Sequence, residues 1–129
     1  MSKKNKNSKD HYKIFIDLGI QSAKKSNFED SMNYFLKAIE TNKERSEAYI
    51  NLSNIYIILN QRDKAFKLIF NYLSKIKFDE NIALHAFNFF KKTNNHNGIK
   101  KLFKIVLSNK NIYTSDKKIL FTIFGQYYE

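Results

Sequence analysis

Apolar residues recur three and four apart along most of the chain, as in Phe66, Ile69, Phe70 and Leu73, or Leu102, Phe103, Ile105 and Val106. That spacing is the 3.6-residue period of an amphipathic helix, and strand signals are weak beside it. It predicts seven helices, near 11–25, 28–41, 46–59, 62–76, 80–93, 98–109 and 115–128. Polar breaks separate them at Ser26-Asn27, Asn60-Gln61 and Thr93-Asn94-Asn95. Short polar side chains there bond to their own backbone and compete with the helix. Ser46 followed by Glu47, and Thr114-Ser115-Asp116, are the expected N-terminal caps. The connections run to about two to six residues, so successive helices must pack antiparallel.

The breaks are themselves periodic. Leu18-Ser31, "LGIQSAKKSNFEDS", has the same skeleton as Leu52-Ala65 and Ala86-Ile99, each 34 residues further on. Leu18, Leu52 and Ala86 align, as do Gly19, Ser53 and Phe87, and Ser31, Ala65 and Ile99. A fixed period of this length marks an array of stacked supersecondary units.

A 34-residue period with two helices per unit resembles the tetratricopeptide repeat. That family places a bulky residue at position 4, Leu at 7, small residues at 8, 20 and 27, and aromatics at 11 and 24. Counted from Tyr12, this chain offers Phe15, Leu18, Gly19, Ser22, Ser31, Phe35 and Ala38. Counted from Ser46, it offers Tyr49, Leu52, Ser53, Tyr56, Ala65, Ile69 and Tyr72. The third unit, from Glu80, departs further: Phe87 stands at a small position and Ile99 at another. The proline that the family often carries near the end of a repeat is missing, since the chain has no Pro. The resemblance implies an all-α, right-handed α-solenoid of antiparallel helix pairs. Its repeats would cover about 12–45, 46–79 and 80–113, with a final helix over 114–129. Residues 1–10 are expected to be a disordered basic tail ahead of a single domain, 11–129. The final stretch "ILFTIFGQYYE" is apolar nearly all round, so the array is expected to continue or to meet a partner there.

Composition changes this picture little. Of the 129 residues, 43% are hydrophobic and 16% aromatic, enough to bury a core. No apolar run reaches the length of a bilayer span, and "MSKKNKNSKD" has no apolar segment of a secretory signal after it. Cysteine is absent, which excludes disulfides and thiolate metal sites and fits a reducing, cytoplasmic setting. The net charge of +11 points to an acidic partner. It also fits a plain compositional bias, because Lys, Asn, Ile, Tyr and Phe run high together while Arg appears only as Arg45 and Arg62.

No catalytic constellation emerges. His11, His85 and His96 have no ligand partner one helical turn away, and Gly19, Gly98 and Gly125 are too far apart to build a phosphate loop. The carboxylate neighbours Glu29-Asp30 and Asp79-Glu80 fall at expected helix starts, where the helix dipole favours negative charge. The expectation is therefore a non-catalytic protein without cofactor or metal.

The resemblance also implies where a partner sits. In the family, the first helix of each repeat lines a concave groove. That nominates Ile16 and Ile20 from the first repeat, Ile50, Asn51, Asn54 and Ile57 from the second, and Leu84, His85 and Asn88 from the third. The subset that clamps a terminal carboxylate pair needs basic residues at groove positions where this chain has Ile16 and His85, and only Asn51 fits its motif. What remains is an apolar strip interleaved with amides. Asn offers both a donor and an acceptor and can pair with an extended peptide backbone. The expected function is a protein-interaction scaffold for a peptide or partner subunit. Two alternatives stand beside it: a nucleic-acid binder using the tail lysines and a patch at Lys100, Lys101, Lys104, Lys117 and Lys118, or the N-terminal accessory segment of a larger enzyme.

Overall fold

The computed structural model describes residues 2–108, with side chains from His11 onward, and Gly125. Within them the chain is all-helical, without strands: α1 (Ser2–Lys24), α2 (Phe28–Thr41), α3 (Ser46–Ile58), α4 (Arg62–Asn71), α5 (Glu80–Lys92) and α6 (His96–Ser108). The seventh helix expected over 115–128 lies outside the described residues. The backbone is helical from Ser2. Residues 2–10 contain neither Pro nor Gly, and extending a helix already anchored by Tyr12 costs far less than starting one.

Three turns repeat in backbone geometry at the sequence period. Ser26, Asn60 and Asn94 have φ of 60°, 60° and 56°, the left-handed conformation, and stand 34 residues apart. The next residue of each turn donates its N–H back five residues: Asn27 to Ser22 at 2.9 Å, Gln61 to Tyr56 at 2.7 Å, Asn95 to Phe90 at 2.8 Å. Ser26, Asn60 and Asn94 themselves donate to the carbonyls of Ala23, Ile57 and Lys91. This pair of bonds is the Schellman ending of a helix, and it satisfies carbonyls that would otherwise be orphaned.

The chain divides into two compact units at Leu68 and Ile69. In the first, α1 packs on α2 and α2 on α3, with α1 also touching α3. Its core is Tyr12, Ile16, Phe35, Ala38, Ala48, Leu52 and Ile55. Burying each large apolar side chain there contributes about 1.5–3 kcal/mol before cavity effects. Gly19 lets α1 and α2 approach closely, since a Cβ there would lie 2.5 Å from Phe35. The Ser31 hydroxyl, buried on α2, donates to the Gly19 carbonyl at 2.8 Å.

In the second unit α5 packs on α6. The small residue has changed helices. Gly98 of α6 faces Phe90 of α5, and a Cβ on it would lie 2.8 Å from that ring. Phe87, bulky where the pattern wants a small side chain, is fully buried and stacks on Phe103 at 6.3 Å. Asn95 accepts from the Gly98 N–H at 2.9 Å through its side-chain oxygen, so α6 starts at His96, two residues before the expected boundary. Asp79 does the same for α5, accepting from the Ile82 N–H at 3.0 Å.

The helix expected over 62–76 is not uniform. After Asn71 it widens into a π-helical turn, Tyr72–Ile76, closed by the Lys77 N–H on the Tyr72 carbonyl at 3.2 Å. Tyr72 is fully buried, and the corresponding residue of the first repeat is the much smaller Ala38. The wider turn takes in one residue more, and the connection that follows, 77–79, is one residue shorter than 42–45.

Candidate peptide-binding face

Helix α3 reads "SEAYINLSNIYII" and is apolar on two sides. One side buries Ala48, Tyr49, Leu52, Ser53 and Ile55. At 100° per residue the opposite side carries Glu47, Ile50, Asn51, Asn54, Ile57 and Ile58. Ile50, Asn51 and Ile57 are half-buried, Asn54 is exposed, and Ile58 is 59% exposed. A surface helix has one apolar stripe; a second stripe with amides set into it is suited to holding another molecule.

The start of α3 is fixed from a distance. Its N-cap residue is Arg45, not the expected Ser46, and Arg45 makes no side-chain capping bond. The Tyr12 hydroxyl of α1 instead accepts from the Ala48 N–H at 3.1 Å. The Arg45 guanidinium lies over the Tyr12 ring, 4.2 Å from its centre. Burial pushes the Tyr12 hydroxyl above its ordinary pKa of 10.0, against the opposing pull of the Ala48 bond and the Arg45 charge. Tyr12 thus ties the first helix to the amide-bearing one. Thirty-six residues separate the bonded pair, and no local signal in the sequence could have revealed it.

The remaining nominated residues divide. Ile16 is only 4% exposed and belongs to the core of the first unit. It lies four residues from Tyr12, on the stripe that α1 turns inward with Gly19. Ile20 is half-buried and packs against that core. Leu84, His85 and Asn88 lie in the second unit on α5, on the side away from its buried Ile82, Ala83, Ala86, Phe87 and Phe90. Leu84 and His85 are half-buried and Asn88 is exposed. Burial lowers the His85 pKa below 6.5.

Among the described residues no three His, Asp or Glu side chains gather as a metal site, and no helix is long and apolar enough to cross a membrane. No protein family, curated protein or solved structure matches this chain.

Proposed function

We infer that this chain is a non-catalytic interaction module of tetratricopeptide type, which holds an extended peptide or a segment of a partner subunit. The second face of α3 carries the proposal: apolar Ile50, Ile57 and Ile58 alternate with Asn51 and Asn54 on a helix whose other side already fills the core. The isoleucines would contact apolar side chains of the ligand. The amides would pair with its backbone, each bond contributing a net of about 0.5–1.5 kcal/mol. The left-handed turns at Ser26, Asn60 and Asn94 support the family reading, because they give three successive helix pairs the same closure.

The test is a peptide array followed by titration of the best binder. Asn51→Ala with Asn54→Ala is expected to weaken binding about ten-fold, the equivalent of 1.4 kcal/mol. Neither side chain is in the core, so helicity by circular dichroism should not change. Unaltered affinity discards the groove.

A further inference from the structure

Residues 1–68 hold thirteen Lys and Arg against eight Asp and Glu, and residues 69–129 hold ten against four, so both stretches are basic. Compositional bias accounts for abundant lysine along the whole chain, but it does not choose the helix face on which lysines gather.

Among the described α-helices, α6, "HNGIKKLFKIVLS", is the one with no acidic residue. Its inner side buries Gly98, Ile99, Leu102, Phe103 and Val106. Its outer side presents Lys100, Lys101, Lys104 and Leu107, all exposed, with Leu107 at 62%. The Lys101 ammonium rests over the Phe70 ring, 4.6 Å from its centre, so part of the face is held in place. Lys100 and Lys104 are one turn apart, as are Lys101 and Lys104, and like charges at those spacings weaken a helix. The first turn, where an acid would be stabilising, has none. The face therefore costs the helix stability locally, as surfaces that serve a ligand often do.

We propose that the outer face of α6 docks an acidic segment of a partner protein, one in which Asp and Glu flank an apolar anchor. The carboxylates meet Lys100, Lys101 and Lys104, and the anchor covers Leu107. A nucleic-acid backbone fits this face less well. It offers nothing to an exposed leucine, and no arginine follows Arg62 to grip phosphates in pairs. The inference does not rest on the α3 groove, since it uses none of the same residues.

The experiment titrates the full chain with a fluorescent synthetic peptide of Asp and Glu around spaced leucines. Lys100→Glu/Lys101→Glu/Lys104→Glu is expected to weaken binding more than about ten-fold. Lys43→Glu/Lys64→Glu/Lys67→Glu makes the same charge change on exposed residues of the first unit and should have a far smaller effect. Leu107→Ser alters no charge and should also weaken the complex. The Asn51→Ala/Asn54→Ala variant should bind this peptide normally, which separates the two surfaces. If the glutamate variant loses helicity, the corresponding triple glutamine variant replaces it. Equal losses in both charge-reversal variants, no effect of Leu107→Ser, or no binding overturns the proposal. So does tighter binding of a single-stranded oligonucleotide or of phosphatidylserine vesicles than of the peptide.

Discussion

Gly19 and Gly98 do the same work from opposite helices. In each case a helix pair closes until an aromatic ring occupies the space of the missing side chain, Phe35 in the first unit and Phe90 in the second. Phe35 and Phe90 are each 1% exposed, so neither ring has solvent to retreat into. Gly19→Ala is therefore expected to lower the unfolding free energy by about 1–3 kcal/mol despite the better helix propensity of alanine. Urea denaturation of the variant checks this, and a gain in stability would mean that the two helices can part without cost. The need for a small residue at Gly19 and Ser31 was legible in the repeat pattern. At Gly98 it was not, because the third repeat moves the contact one position along and swaps the roles of its two helices.

At the scale of the element, the helix ends were more legible than their causes. The polar breaks located the connections closely, since Asn and Ser tolerate the conformations that turns demand. The sequence does not say which residue takes the left-handed conformation. In the second and third turns it is Asn, which visits that region readily; in the first it is Ser26, which does so at a cost. Ser26→Gly is expected to stabilise the chain by about 0.5 kcal/mol, seen as a higher urea midpoint, because removing the Cβ relieves more strain than it adds in chain entropy. Two further features escaped the pattern for physical reasons. The burial of Ile16 depends on which side of α1 meets α2, and the π turn at Tyr72–Ile76 depends on a bulky side chain finding room. Periodicity alone fixes neither.

For the molecule as a whole, His85 links fold stability to pH. Burial lowers its pKa in the folded protein, so the unfolded chain takes up a proton first as the solution is acidified. Stability from this group is complete above the ordinary histidine value of 6.5 and declines as pH falls below it, until the folded pKa is reached. Urea midpoints measured from neutral pH down to about 5 should fall for the natural chain and fall less for His85→Gln. Parallel curves for the two proteins would assign the acid sensitivity elsewhere.

The three left-handed turns have a consequence for how such a chain can change over time. Each is closed by main-chain atoms, so its corner makes few demands on residue identity beyond a tolerance for positive φ. Side chains on either side are then free to differ, as Phe87 differs from Gly19 and Tyr72 from Ala38, while the hairpin persists. Kinship between proteins built this way would be carried in torsion angles long after it had faded from their residues.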